Sequence, residues 1–312
     1  MLMEQIERKE LSPGWYILLY HDISWEENAF LRSIGGTCPP DVFRRHVKFV
    51  AGLGELVSIQ EGQRRLIEKP IDKPLFSFWF DDGLSGVIKN ALPVLEQAGT
   101  TGAVSICSCF VNRSEFFWRF KLSYLNSIDA MRFLRSRLKK HGFQPGNSVR
   151  TFTLDHFSPD IAGYIDELFT RFTTLHQRQD AYRMFMDSHA VKTLMSHGWV
   201  IANHTARHYP ISLEHSLHLL GAEFNECEAA IELVCQSPSQ YWVIPFDRKS
   251  SPKTVAIADS VRGDRYIVWV RDKVNTPGLC NAERMLYRIV APIGSLQHFM
   301  DKLVKVNALS LP

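Results

Sequence analysis

Pro74-Leu75-Phe76-Ser77-Phe78-Trp79-Phe80-Asp81-Asp82-Gly83 is the stretch that decides the fold. The run 74–80 carries no charge and alternates no polar face, as a strand buried on both sides does in a parallel sheet covered by helices. Two consecutive carboxylates and a glycine then close it. Carboxylates at the C-terminal end of a parallel strand stand where α/β folds gather their chemistry. Working outward, 15–20 (WYILLY), 102–107 (GAVSIC), 199–202, 241–244, 266–270 and 287–290 are further short apolar runs and are expected as strands. Helical spacing covers 41–53, 84–98, 213–234, 255–260 and 294–303, with Gly99 placed to end the second of these. Alternating strands and helices predict an α/β fold built on a parallel sheet or barrel. Residues 112–188 break that alternation with a mainly helical pattern. They are expected either as an insertion over one end of the barrel or as a helical layer of its core.

Composition narrows the function classes. A chain of 312 residues that is 45% hydrophobic can bury a large core; we expect a single catalytic domain over 1–312. The net charge of +3 is dispersed apart from 132–140, which reads as a solvated helix face, so nucleic acid is not an expected partner. Six cysteines, with no CxxC pair, point to a reduced protein. The first ten residues are acidic where an export signal would be basic, and no apolar run is long enough to span a bilayer. A cytoplasmic location is expected, with peripheral membrane contact left open.

Far downstream stands His204-Thr205-Ala206-Arg207-His208. One carboxylate and two imidazoles make a three-ligand set for a catalytic zinc-type ion with an open position for water. The other carboxylate of the pair is then free to act as a base on that water. If 204–208 is helical, its histidines at i and i+4 share a face. Each motif alone would be read as solvated surface residues; together they describe a metal-dependent hydrolase.

Tyr20-His21-Asp22-Ile23, Phe80-Asp81-Asp82-Gly83 and His204 to His208 occur in that order, the last preceded by Gly198 to Asn203 and followed by Pro210-Ile211-Ser212. With these motifs the chain resembles the polysaccharide deacetylase family (carbohydrate esterase family 4, the NodB-homology domain) over nearly its whole length. The resemblance implies a distorted (β/α) barrel with a mainly helical insertion at 112–188. It also implies that Asp81 is the base, that Asp82, His204 and His208 hold a divalent ion, and that Thr205 steadies the ligand loop. Zinc is expected, with cobalt, nickel or manganese as alternatives. Trp79 stands where the family motif has threonine and, with Pro245 and Phe246, is expected to line a sugar site.

Two departures from the family pattern matter. The late strand Tyr287 to Pro292 has no histidine to serve as catalytic acid. Members opening with a Tyr-His-x-Ile strand look circularly permuted, with that strand beside the Asp-Asp strand, so His21 is the expected proton donor to the leaving amine and His298 a poor second choice. Nor does Trp242 to Arg248 carry an arginine before its proline; Arg288 is the expected substitute, holding Asp81 by a charge-assisted bond. The reaction so implied is removal of an N-acyl group, acetyl foremost, from an amino sugar in a glycan, glycolipid or nucleotide-sugar precursor. A same-fold amidase acting on a non-sugar amide, imide or formamide is one rival; assays on both substrate types separate them. The other is a non-catalytic sugar-binding protein, against which the intact ligand set speaks.

Overall fold

The computed structural model describes residues 10–310, apart from 26–27, 33, 35, 69, 147, 211–216, 248–251 and 278–283. Strand β1 (Gly14–Tyr20) enters first. A two-residue ladder of β2 (Asp22–Ile23) and β3 (Thr37–Cys38) follows, then helix α1 (Pro40–Ala51), β4 (Glu55–Leu56) and α2 (Ile59–Glu68). The Asp-Asp strand is β5 (Pro74–Phe80). It pairs in parallel with β1 along its full length, from Gly14 opposite Pro74 to Tyr20 opposite Phe80.

The remaining strands are β6 (Gly102–Ile106), β7 (Val200–Asn203), β8 (Tyr241–Val243), β9 (Tyr266–Val270) and β10 (Met285–Val290). Each pairs in parallel with the next, and β10 returns to β1. The result is a closed seven-stranded (β/α) barrel, with β4 attached to the start of β5 outside the ring. Closure buries the ring strands on both faces along their middles, which is why these strands read as unbroken apolar runs. Phe78 and Phe80 turn outward onto Phe43 of α1. Trp79 and Ser77, on the other face, look into the barrel.

The helix expected over 84–98 forms with a flaw. A π turn at Val87–Ala91 precedes α3 (Leu92–Gln97). Pro93 has no N–H to give the preceding turn, and a widened turn there relieves its ring. Gly99 follows at φ +72, the left-handed conformation expected of it.

Between β6 and β7 lie seven helices: α4 (Ser108–Val111), α5 (Trp118–Ser127), α6 (Met131–Lys140), α7 (Val149–Asp155), α8 (Pro159–Phe172), α9 (Leu175–Tyr182) and α10 (Ser188–Ser196). They share an apolar cluster of their own, with Phe110, Phe117, Phe120, Ile165 and Phe185 at its centre. This layer grips the loops at the C-terminal mouth of the barrel. Met186 N–H donates to Gly83 O at 2.8 Å, Ser85 N–H to Met184 O at 2.7 Å and Cys109 N–H to Ala206 O at 3.1 Å.

Helices α11 (Leu217–Cys235), α12 (Pro252–Val261) and α13 (Leu296–Ser310) complete the chain. The first residues of the helix expected over 213–234, Ile211 and Ser212 of the downstream motif, and Arg248 and Cys280 lie outside the described residues. Among the described residues no helix is long and apolar enough to cross a membrane.

Candidate active site

The register of β1 on β5 carries its consequence one residue past the strand ends: His21 and Asp81 leave the barrel side by side. Asp81 N–H is tied back to Tyr20 O at 3.1 Å. Its carboxylate is buried, and Oδ1 accepts from Arg288 Nη1 at 2.6 Å and from the Ser105 hydroxyl. Burial alone would raise its proton affinity. The charge of Arg288, then those of His204 and His21, hold it well below the usual carboxylate range instead.

Asp82 is its opposite. Backbone angles of φ +71 at Asp82 and φ +69 at Gly83 turn the chain sharply, so the two carboxylates face different groups. Burial and then the negative charge of Asp81 push Asp82 up to about 7, with Arg119 and Arg288 opposing. Its Oδ1 lies 3.3 Å from His208 Nε2 and 3.6 Å from His204 Nε2, and no hydrogen bond satisfies it. His204 Nδ1–H donates to Val243 O at 2.8 Å, which leaves Nε2 as a bare lone pair. Burial lowers the proton affinity of both imidazoles; at His208 the neighbouring His204 adds to the fall.

A buried oxygen and two neutral imidazoles thus converge without a donor between them, their three ligand atoms within 4.8 Å of one another. Such a cluster is costly unless a cation sits among it. Tetrahedral zinc with bonds of about 2.0 Å sets neighbouring ligand atoms about 3.3 Å apart, close to the spacings here. Asp82, His204 and His208 therefore fit a divalent metal ion.

Solved structures share this architecture. IcaB from Ammonifex degensii superposes with a TM-score of 0.60 at 16% identity, covering 96% of this chain and 98% of that one. A de-N-acetylase from Aggregatibacter actinomycetemcomitans gives 0.58 at 13% identity, covering 91% and 98%. A polysaccharide deacetylase from Bacillus cereus gives 0.55 at 13% identity, covering 95% of this chain and 69% of that one. The fold is that of the polysaccharide deacetylases. No protein-family model and no curated protein sequence matches the chain.

Within this deacetylase fold the expected residues fall into three groups. Asp81, Asp82, His204 and His208 meet at the barrel mouth, and Arg288 reaches Asp81 from β10. His21 joins them electrostatically. Burial lowers it to about 4, Asp81 opposes, and Arg119, Arg288 and His204 add to the fall. Phe246, at φ +53, sets its ring edge-on to His208 with centroids 4.9 Å apart, while Pro245 beside it is buried. His298 is exposed on α13.

One expectation needs correction. Trp79 is fully buried inside the barrel and lines no sugar site. Its indole Nε1–H donates to Ser105 Oγ at 3.4 Å, and its ring lies 5.5 Å beneath the Arg288 guanidinium. It supports the groups that hold Asp81. The segment 204–208 is a loop rather than a helical turn, because Thr205 and His208 both have positive φ, +66 and +56. Thr205 Oγ1 accepts from the His208 backbone N–H at 3.2 Å, and Asn203 Oδ1 accepts from Thr205 N–H at 2.9 Å. These bonds hold a backbone that residues other than glycine rarely adopt.

Ser105 and Trp118 escaped the sequence reading. Ser105 left one signal, a hydroxyl facing inward in the apolar strand GAVSI. Trp118 left none; its Nε1–H donates to the His208 carbonyl at 3.2 Å across 90 residues.

Proposed function

We propose that the protein is a metal-dependent N-deacetylase acting on an amino sugar. The observation that carries this reading is a buried, strongly acidic Asp81 standing beside the three-ligand set Asp82, His204 and His208 at a deacetylase-type barrel mouth. Two structural neighbours, a polysaccharide deacetylase and a de-N-acetylase, support the substrate class.

In this reading Asp82, His204 and His208 hold the ion, zinc first among the candidates because two imidazoles and one carboxylate leave a coordination place open. When bound, a divalent ion supplies Lewis acidity toward the amide oxygen and lowers the proton affinity of water. Asp81 takes the proton from the attacking water, and its low proton affinity keeps it ionised and ready across the neutral range. Arg288 and Ser105 position that carboxylate; neither needs to touch the substrate. His21 delivers a proton to the leaving amine. The free protein holds its imidazole neutral at pH 7, so in this reading His21 takes up a proton from solvent as negative charge builds on the reacting carbonyl oxygen and passes that proton to the amine. Phe246 walls the mouth beside His208, and Thr205 fixes the loop that carries both histidines. The five described cysteines are free thiols, which supports a reducing compartment.

Metal analysis of the purified protein tests the ligand assignment together with assays of acetate release from acetylated amino sugars. About one divalent ion per chain is expected, with loss of both ion and activity in His204→Ala and in His208→Ala. Full metal occupancy in the double variant would sink the assignment.

A further inference from the structure

Arg288 carries one charge between two buried carboxylates. Its Nη1–H donates to Asp81 at 2.6 Å, while its buried Nε–H has no hydrogen-bond partner. On the neighbouring strand β9 its register partner is Val270, whose backbone N–H donates to Oδ2 of Asp247. Parallel strands lie about 4.8 Å apart, so this bond fixes the Asp247 carboxylate beside the strand that carries Arg288. Asp247 is itself buried, just past the end of β8 and next to Phe246. Arg271, one residue beyond β9, brings Nη1 to 3.4 Å from the same Oδ2 and donates to the Asp247 carbonyl at 2.9 Å.

Burial raises Asp247 to about 6. The Val270 bond opposes the rise, then the charges of Arg288 and Arg271 in that order, and the charge of Asp81 adds to it. Arg288 thus acts on Asp247 more strongly than an arginine 3.4 Å away. Asp81, Arg288, Asp247 and Arg271 form a row of alternating charge across the barrel mouth. An arginine that faces one carboxylate alone lowers the proton affinity of that carboxylate in full. A second carboxylate on the same guanidinium takes part of its charge and returns basicity to the first. The rate of proton removal by a general base rises with its basicity.

We propose that Asp247 is a positioning residue that shares the charge of Arg288 and thereby keeps Asp81 basic enough to take the proton from water. This rests on the deacetylase reading and adds to it a second carboxylate behind the base. Protonation of Asp247 ends the sharing. Turnover of the metal-saturated protein should therefore bend downward on the acid side at or below pH 6, since a bound divalent ion can only pull that carboxyl lower.

Kinetics on the metal-saturated protein give the first test. Asp247→Asn keeps an oxygen for the Val270 N–H and removes the charge. Its kcat for acetate release from an acetylated amino sugar should fall at least about fivefold with KM and metal content unchanged, and the acid bend should vanish. Asp247→Glu should recover part of the loss. Added to Arg288→Gln, Asp247→Asn should cost less than about twofold, because a residue acting through Arg288 then has nothing to act on. Wild-type kcat in Asp247→Asn, or an equal loss with and without Arg288, would overturn the proposal. The second test needs no turnover. In a 13C NMR titration of the aspartate carboxyls of the metal-free protein, the Asp247 resonance is the one missing from Asp247→Asn. Its midpoint should rise by at least about half a pH unit in Arg288→Gln. An unmoved midpoint would refute the charge sharing. If the midpoint moves while the wild type releases no acetate from any amino sugar, the charge sharing stands and the deacetylase reading falls.

Discussion

Asp81 and Asp82 are chain neighbours with equal burial and opposite proton affinities, and the difference is one of partners. Arg288 at 2.6 Å and the Ser105 hydroxyl favour the charged form of Asp81, whereas Asp82 faces two imidazoles and its neighbour's charge. Asp81→Asn should keep the metal and lose on the order of a hundredfold or more in turnover, the scale of general-base removal. Loss of metal in that variant would mean that Asp81 is itself a ligand. The other carboxylate sets a pH dependence. Raised to about 7 in the free protein, Asp82 must lose a proton for an ion to bind. Metal affinity should therefore climb about tenfold per pH unit up to roughly 7 and then level off. Chelator competition between pH 5.5 and 8.5 reads this directly, and a flat profile across that range would contradict it. The sequence carried these residues well because carboxylate pairs and spaced histidines have few other uses together. Trp79 misled because a tryptophan beside a site motif looks like a sugar platform, and only the closed barrel turns it inward.

At the scale of elements, legibility follows how local the cause is. The barrel strands and helices such as α1 could be read because burial on two faces, or on one stripe, is written in consecutive residues. The loop 204–208 could not, since its shape depends on Thr205 and His208 holding left-handed backbone against bonds from Asn203 and Trp118. The helices between β6 and β7 were visible as helices, but their grip on Gly83 and Ala206 is made by backbone groups that carry no residue signature. That grip has a testable price. Trp118→Phe keeps an aromatic ring against Phe157 and removes the N–H that holds the His208 carbonyl. Partners that orient a ligand-bearing loop in this way are worth about 10–100-fold in metal affinity when lost. A drop in that range is expected by competition titration, with little change in thermal midpoint. Unchanged affinity would show that the loop holds its own shape without the indole.

Across the whole molecule, the two ends of the described chain lock together on one side of the barrel. β1 closes the ring between β5 and β10, and Tyr16 on its outer face donates its hydroxyl to Asn307 of α13 at 2.8 Å. His46 of α1 sits at the centre of this closure, fully buried, stacked on Phe299 of α13 at 4.2 Å and bonded through Nδ1 to the Tyr20 hydroxyl at 3.0 Å. Burial, with Arg45 adding to it, lowers its pKa from 6.5 to about 4, so the folded state holds the imidazole neutral. The unfolded chain takes up a proton there below pH 6.5, and the folded chain does so only near pH 4. His46 therefore contributes stability above 6.5 that is lost as pH falls through that window. Other groups titrate in the same range, Asp82 in the opposite sense, so the wild-type curve alone cannot isolate it. His46→Phe can. At pH 7 the variant differs from wild type by whatever packing and the Tyr20 bond are worth. Between pH 6.5 and 4 that difference should move in the variant's favour by on the order of 3 kcal/mol, because its unfolded state has no imidazole to protonate. Denaturant midpoints measured in pairs across this range test it. A difference that stays constant with pH would mean that the imidazole reaches solvent and that the closure of the two ends is looser than its contacts imply.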